Sequence, residues 1–293
     1  MSSEVEAAIM DSPFEYLRTS ESCRYWTKQT VKMRYFALWA DFLQRYSEND
    51  SPRAGPCRSA GLELRTFGTN ASALANVRAP GCTVLHKVVD NARICGISPL
   101  FDESGDIEDL AVLSSRTPSD FSGGESLFYF TSDYKVAEYH AAYAKRRIGA
   151  GRVSIISMAI PNAVLEQMQS TGELVHLFWP SDEWKETVWL SRRHRPSRLD
   201  LDDQAKLAIG TTARRPNGAY HQMRSFDEVT EDYVFKADHM NPDAAPSVQY
   251  VFRFDNENFL EEHAAQTMRA TPFVDSDLAA WLQTYGSAST IST

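Results

Sequence analysis

The chain has few of the features that mark a membrane or secreted protein. No run of apolar residues approaches the ~20 needed to cross a bilayer. The first ten residues contain two glutamates and no long apolar core, so we expect no signal peptide. Four cysteines occur in 293 residues and none forms a C-x-x-C pair: Cys23, Cys57, Cys82 and Cys95. This spacing disfavours a zinc site and predicts free thiols in a cytoplasmic protein without a membrane partner.

The chain also lacks an excess of positive charge and the common catalytic signatures. Its net charge is −9, which disfavours binding along the phosphates of a nucleic acid. G-x-S-x-G, H-E-x-x-H, the P-loop and G-x-G-x-x-G are all missing from the sequence. The basic run Arg192–Arg195 is typical of a solvated helix end. Residues Asp200–Asp203 lack the glycine and closing glutamate of a calcium loop, so no metal site is predicted.

Composition and the positions of Gly, Pro and Ser divide the chain into five segments. At 43% hydrophobic and 24% charged residues, it has the composition of an ordinary globular protein. The predicted segments are a disordered start at 1–12, a helical extension at 13–48, a Pro/Gly/Ser-rich linker at 49–61, one domain at 62–270 and a C-terminal tail at 271–293.

Strands and helices follow one another without a strict βαβ alternation, which predicts an α+β fold. The clearest strands are rich in β-branched or aromatic residues: Thr83–Val89, Leu127–Thr131, Val153–Ile160 and Ser247–Phe254. Residues 96–126 contain Gly, Pro, Ser and Asp throughout and are predicted to be a long surface loop. A tail helix is expected near Leu278–Thr284.

The most informative segment runs from Asp120 to Ala144. A Gly-Gly loop is followed by a short aromatic strand, and a helix begins at Ser132 or Asp133. Tyr129 and Thr131 therefore lie beside a helix N-terminus, whose unpaired N–H groups suit an anionic or polar ligand.

Three polar side chains sit on three different predicted strands. His86 is central in the first strand, Tyr129 lies in the aromatic strand, and Gln249 lies near the start of the late strand. Taken singly, each is more typical of packing than of catalysis. The functional hypothesis depends on the three strands being neighbours.

This arrangement resembles the ADP-ribosyltransferase superfamily, which includes diphtheria toxin and the poly(ADP-ribose) polymerases. In that family a His (or Arg) strand, an aromatic strand leading into a helix with a second aromatic, and a late strand opening with Glu form the site. The chain resembles more closely an uncharacterised group of such proteins from bacteria and fungi. Its matching pieces occur in the same order: Asp120–Gly124, Phe128–Thr131, Glu183–Arg192, Ala208–Gly210 and Gln249–Phe252.

The resemblance implies a split, bent β-sheet with flanking helices, an N-terminal helical extension and a cleft for NAD. His86 would hold a ribose hydroxyl, Tyr129 and Tyr139 would stack on nicotinamide, and Thr131 would line the cleft. Gln249 would hydrogen-bond the nicotinamide ribose as the glycosidic bond breaks. The implied activity is cleavage of NAD and transfer of ADP-ribose to an unknown acceptor, a protein in the first instance, without a metal.

The chain departs from the family pattern at two important positions. Lys87 follows the motif histidine and would also line the NAD site, where the family has a glycine that lets the backbone approach nicotinamide. Gln249 replaces the glutamate of toxins and polymerases, and an amide supplies neither a negative charge nor a base. The alternatives are therefore a binding module of the same fold without transfer, or an NAD glycohydrolase that uses water.

Two other carboxylates, Glu183 and Glu186, are rivals for the catalytic role. Both lie on a predicted helix that begins after Ser181, where acids complement the helix dipole. Asp120 is expected to cap the Gly-Gly loop. The acceptor and the oligomeric state are left open.

Overall fold

The structure is a computed structural model that describes residues 2–49, 80–95, 99–102, 104–115, 117–197, 204–241, 243–253 and 257–286. Residues 50–61 of the predicted linker and the predicted domain start at 62 lie outside the described residues. None of the helices in the described ranges combines the length and the apolar character that crossing a membrane requires.

The centre of the protein is one seven-stranded mixed sheet. Its strands are β1 Cys82–Asp90, β2 Phe128–Thr131, β3 Val153–Pro161, β4 Leu174–Leu177, β5 Leu207–Thr211, β6 Val248–Phe252 and β7 Arg269–Phe273. Their order across the sheet is β4-β5-β6-β2-β1-β3-β7. Only β4 and β5 pair in parallel, and every other neighbouring pair is antiparallel. The predicted mixture of strands and helices around a mixed sheet is confirmed.

Helices cover both faces of this sheet. They are α1 Ser3–Ile9, α2 Glu15–Arg18, α3 Cys23–Asn49, α4 Asn91–Ile94, α5 Tyr134–Ile148, α6 Asn162–Thr171, α7 Asp182–Arg192, α8 Asn217–Gln222, α9 Glu257–Ala264 and α10 Asp275–Tyr285. Short 3-10 turns lie at Ser12–Phe14, Leu110–Leu113, Phe226–Glu228, Glu231–Tyr233 and Ala265–Thr267. The predicted helix starts are confirmed, since Asp133 caps α5 and Ser181 caps α7 through their side chains.

Alternation along β2 sorts its side chains between the two faces. Phe128 and Phe130 enter the core on one face, while Tyr129 packs into the core on the other. The same period of two places Val251 of β6 on the Tyr129 face and Phe252 on the opposite face. The polar face of β2 is therefore the one that also carries α5 and α7.

The N-terminal residues are ordered, which corrects the disorder predicted for 1–12. Ser2 caps α1 by accepting a hydrogen bond from the Val5 N–H. Ile9 is fully buried and Phe14 stacks on Trp281 with ring centroids 5.0 Å apart. The apolar face of α1 is too short to be detected by its periodicity. It is stabilised instead by tertiary packing.

Two further boundaries are corrected by the structure. Residues 96–126 are not simply a surface loop, because Leu100, Leu110, Leu113 and Phe121 are fully buried. β7 pairs with β3, so the domain continues beyond its predicted end at 270. The predicted tail helix is confirmed as part of α10.

Gly210 allows β4, β5 and the Asp120 loop to approach one another closely. A Cβ at this position would lie 2.1 Å from the Leu177 carbonyl oxygen and 2.9 Å from the Phe121 ring. Both atoms belong to buried, well-packed groups, so neither can move without cost.

We expect Gly210→Ala to lower the free energy of unfolding by about 3 kcal/mol or more, because overpacking here strains backbone as well as side chains. The measurement is urea unfolding followed by circular dichroism. Gly218→Ala is the matched control, since no atom lies within 4 Å of the added Cβ. Equal midpoints for the two variants would contradict the packing argument.

Candidate functional site

The structure brings His86, Thr131 and Gln249 into one row across three neighbouring strands. His86 of β1 pairs with Thr131 of β2, and Thr131 pairs with Gln249 of β6. Because paired positions on adjacent strands point to the same face, the three side chains share one face of the sheet. The row spans about 10 Å at the usual spacing between strands.

His86 is a buried, neutral imidazole at one end of this row. Its Nδ1 lies 2.8 Å from the Ser157 hydroxyl on β3, so Nε2 is the ring nitrogen left for a ligand. Tyr134, the first residue of α5, meets the ring edge-on at a centroid distance of 5.2 Å. Burial lowers the pKa of His86 to about 4, although Asp133 opposes the shift. The ring can therefore donate or accept a hydrogen bond without carrying charge near neutral pH.

Gln249 lies at the other end of the row and is only 6% exposed. Its Nε2 donates to the Asp120 carboxylate at 2.9 Å and to the Thr211 carbonyl at 3.3 Å. Both partners are pure acceptors, so the amide orientation is determined: the NH2 group faces the protein interior. The carbonyl oxygen Oε1 is then the group that Gln249 offers on its outer side.

Asp120 anchors this amide within a buried ionic network. Its carboxylate also accepts hydrogen bonds from the Ala213 N–H at 2.8 Å and the Arg192 Nε at 2.9 Å. Arg192 in turn donates to Glu21 at 2.6 Å and to Asn217 at 3.0 Å. Burial opposes the charged form of Arg192, but the carboxylates of Asp120 and Glu21 raise its pKa above its ordinary value. Arg192 is thus paired with two carboxylates and hydrogen-bonded to Asn217.

The motif pieces converge on this network, which gives them a structural explanation. Asp120, Arg192 and Gln249 contact one another directly. Trp184 of the same helix as Arg192 donates to the Thr211 carbonyl at 2.8 Å, the carbonyl that also accepts from Gln249. One set of hydrogen bonds therefore explains the residue types at positions as far apart as 120 and 249.

Tyr129 is tied to the Asp120 loop by its hydroxyl group. The oxygen lies 2.6 Å from the Ser119 hydroxyl and accepts the Phe121 N–H at 3.1 Å. Burial, and secondarily the charge of Asp120, raise the pKa of Tyr129 above its ordinary value. Its phenol therefore stays neutral and positions the loop over the sheet.

Thr131 connects the end of β2 to the start of α5. Its hydroxyl donates to the Val248 carbonyl at 3.1 Å and accepts the Asp133 N–H at 3.2 Å. The helix N-terminus predicted beside this strand end is present, with Asp133 as its cap. A carboxylate already satisfies one of the helix N–H groups, which reduces the attraction of this end for an anion.

Three predicted cleft residues lie outside the row. Tyr129 is two residues from Thr131 on β2, and its hydroxyl is held by the Asp120 loop. Lys87 points to the opposite face from His86, and its ammonium donates to the Ser115 hydroxyl and the Tyr129 carbonyl, each at 3.0 Å. Burial, followed by the charge of Arg93, lowers the pKa of Lys87 to about 7. Tyr139 packs away from the row, stacking on Trp281 at 5.2 Å and accepting the Leu17 N–H at 3.3 Å.

Sequence reasoning missed Tyr134, Ser157 and Arg192. Tyr134 is 46% exposed and is the aromatic side chain of α5 that contacts His86, where the family pattern pointed to Tyr139. An available signal was its position as the first helical residue directly after β2, which keeps it near the sheet. The rival carboxylates Glu183 and Glu186 are both exposed on α7, as their place in a helix start predicts.

No protein-family model, curated protein or solved structure matches this chain. Among the described residues, no group of three or more His, Cys, Asp or Glu side chains is placed to hold a metal ion. The site is therefore characterised by its own geometry. It combines a neutral imidazole, an oriented amide oxygen and an exposed aromatic ring on one face of the sheet.

We expect Asp120→Ala to lower the free energy of unfolding by about 3–5 kcal/mol, since it leaves Arg192 buried beside a single carboxylate and Gln249 with only the Thr211 carbonyl as acceptor. Urea unfolding measures the effect. Asp182→Ala removes the exposed partner of Lys185 in a surface pair and should change stability by less than about 0.5 kcal/mol. A comparable small loss in both variants would show that the network is not a stabilising element.

The lowered pKa of His86 predicts an acid-dependent loss of stability. The unfolded chain takes up the proton near the ordinary pKa of 6.5, whereas the folded chain does so at about 4. The free energy of unfolding should therefore fall as the pH drops through this window. His140, whose pKa burial also lowers to about 4, contributes in the same range.

The contribution of His86 is isolated by measuring stability from pH 7.5 to pH 4 in the wild type and in His86→Gln. The variant keeps a hydrogen-bonding group for Ser157 and should show a shallower fall. Parallel curves for the two proteins would mean that His86 is not buried as described.

Proposed function

We propose that this chain is an ADP-ribosyltransferase-like protein that binds NAD along the row of His86, Thr131 and Gln249. It would break the bond to nicotinamide and pass ADP-ribose to an acceptor. The observation that carries the proposal is the row itself. The histidine strand, the aromatic strand and the late glutamine strand are neighbours in the order that the resemblance implies.

The side chains of the row offer contacts suited to this reaction. His86 Nε2 would hold a ribose hydroxyl, and Gln249 Oε1 would accept a hydrogen bond from a hydroxyl of the nicotinamide ribose. The exposed ring of Tyr134, beside His86, provides a π-face for nicotinamide in place of Tyr139. Tyr129 supports the site by holding the Asp120 loop in place.

In the proposed reaction the C–N glycosidic bond breaks and nicotinamide leaves with the bonding electrons. The sugar develops positive charge, and an acceptor nucleophile forms the new bond and loses its proton. Groups that present negative potential to the sugar accelerate this step. An amide oxygen supplies part of that potential through its dipole, less than a carboxylate would.

A binding module without transfer activity is the second candidate, and Gln249 is the observation that favours it. The Asp120 carboxylate requires a hydrogen-bond donor at position 249, because a glutamate there would place two carboxylates at hydrogen-bonding distance from each other. The network therefore excludes the residue that toxins and polymerases use. The same cleft would then recognise NAD or ADP-ribose without cleaving it.

NAD binding is tested by isothermal titration with the wild type, Tyr134→Ala and Tyr285→Ala. We expect Tyr134→Ala to weaken binding about tenfold, because it removes a stacking surface worth roughly 1.4 kcal/mol. Tyr285→Ala removes a similarly exposed ring of α10 and should leave Kd unchanged. Absence of NAD binding by the wild type would sink both candidate functions.

Nicotinamide release in the same samples separates the candidates. Release by the wild type with ADP-ribose on an acceptor supports the transferase, and free ADP-ribose indicates a glycohydrolase. Binding without release supports the module. In that case the informative variant is Gln249→Glu combined with Asp120→Asn, which removes the negative charge that would face the new carboxylate.

A further inference from the structure

Helix α3 has two apolar stripes, and the described residues of the rest of the protein cover one of them. The inner stripe, including Trp26, Thr30 and Met33, is buried against the domain. At 100° per residue, a second stripe points about 140° away from it. We call this second stripe the outer seam; it comprises Val31, Tyr35, Leu38, Trp39 and Phe42.

The outer seam is exposed over its whole length. Leu38 is 70% exposed, and every other member is about half exposed or more. Trp39 and Phe42 stack with ring centroids 5.8 Å apart, so the side chains form a continuous surface. A patch of this kind is comparable with the largest apolar patch on a typical monomer, and such patches are often functional.

The spacing within the seam is that of a helix pair. Val31, Tyr35, Leu38 and Phe42 are separated by four, three and four residues. This is the pattern by which side chains of one helix pack between those of another at a two-stranded interface. Binding to a flat or irregular surface would not require this spacing.

The area of the seam fits a self-pairing that is weak but specific. Its exposed side-chain surface is on the order of 500 Å² per copy, from the usual areas of such residues. Two copies joined by a two-fold axis bury the same patch twice, about 1,000 Å² in total, which is the lower end for a specific dimer.

Charge along α3 selects the antiparallel orientation. The half Cys23–Phe36 contains Arg24, Lys28, Lys32 and Arg34 and no acid, and of these Arg34 is paired with Glu4 of α1. The half 37–49 contains Asp41 and Glu48 against Arg45. Parallel pairing would bring the two basic halves together, whereas antiparallel pairing places each basic half beside the acidic half of its partner.

We propose that the outer seam is the interface of a homodimer in which two copies of α3 pair antiparallel about a two-fold axis between Tyr35 and Leu38. This axis places Tyr35 against Leu38 of the partner subunit and Val31 against Phe42 of the partner subunit. The proposal does not depend on NAD binding or on the proposed activity.

The dimer is tested by sedimentation velocity of the full chain from about 1 to 100 μM. We expect reversible dimerisation in the micromolar range. Leu38→Glu should weaken it at least about 100-fold, because the two-fold axis introduces the charge on both sides of the interface. Circular dichroism and a thermal melt verify that the variant is folded, as expected for a side chain so far exposed.

Met240→Glu is the control elsewhere on the surface. Met240 is 56% exposed and does not lie on α3. This variant should leave the dimer intact. A wild type that stays monomeric to 100 μM overturns the proposal, and so does a dimer equally weakened by both variants. A monomer whose unfolding midpoint drops in Leu38→Glu would show instead that this chain covers its own seam.

The orientation is tested by disulfide cross-linking. A mixture of Tyr35→Cys chains and Leu38→Cys chains should give a cross-linked heterodimer on oxidation, because the two positions meet across the axis. The exposed native thiol of Cys23 reports on the opposite arrangement. Antiparallel helices hold the two Cys23 residues roughly 40 Å apart, so a rapid Cys23–Cys23 cross-link would establish parallel pairing and overturn the proposed geometry.

Discussion

The buried carboxylate of Asp120 holds together segments that are distant in the sequence. It accepts hydrogen bonds from Gln249 on β6, from the backbone after β5 and from Arg192 on α7. Through Arg192 it reaches Glu21 in the N-terminal extension. A buried charge is tolerated only when it is paired and hydrogen-bonded, so each of these residues limits what the others can be. The glutamine at position 249 is a consequence of this carboxylate.

This constraint bears directly on function. The side chain of Gln249 is committed to donating hydrogen bonds inward, to Asp120 and to the Thr211 carbonyl. What remains for a ligand is an amide oxygen in a determined orientation, opposite a neutral imidazole. Such a site recognises hydroxyl groups well and stabilises a developing cation less well. Under the proposed function, recognition of NAD and its cleavage would therefore be separable properties of the same row.

Local patterns in the sequence predicted the strands and helix starts around the site, because these depend on neighbouring residues. The alternating strand at Gln249, the caps Asp133 and Ser181, and the central strand of His86 are examples. The direction in which a side chain points was harder to predict. Lys87 and Tyr139 turn away from the row because a strand alternates and because α5 buries one face against the N-terminal segment.

Packing between distant segments also explains why some core residues were not predicted from the sequence. Leu100, Leu110 and Leu113 lie in a segment whose composition is that of a loop, and only long-range packing buries them. α1 is too short to predict from its own residues and depends on tertiary contacts for its stability. Tyr134 was overlooked because the family pattern directed attention one turn further along the helix. Contacts between distant segments are what a single sequence reveals least.

The position of β6 in the sheet has a consequence for how the chain is made. β6 lies between β5 and β2, yet it is among the last strands to leave the ribosome. Until residues 248–252 emerge, β5 and β2 both lack the strand that pairs with their facing edges in the finished sheet. Exposed edges of this kind recruit other chains, and the long loop closure makes their burial slow. β6 thus joins the two parts of the sheet. A nascent chain that lacks residues 248–252 exposes both edges and is the form that depends most on a chaperone.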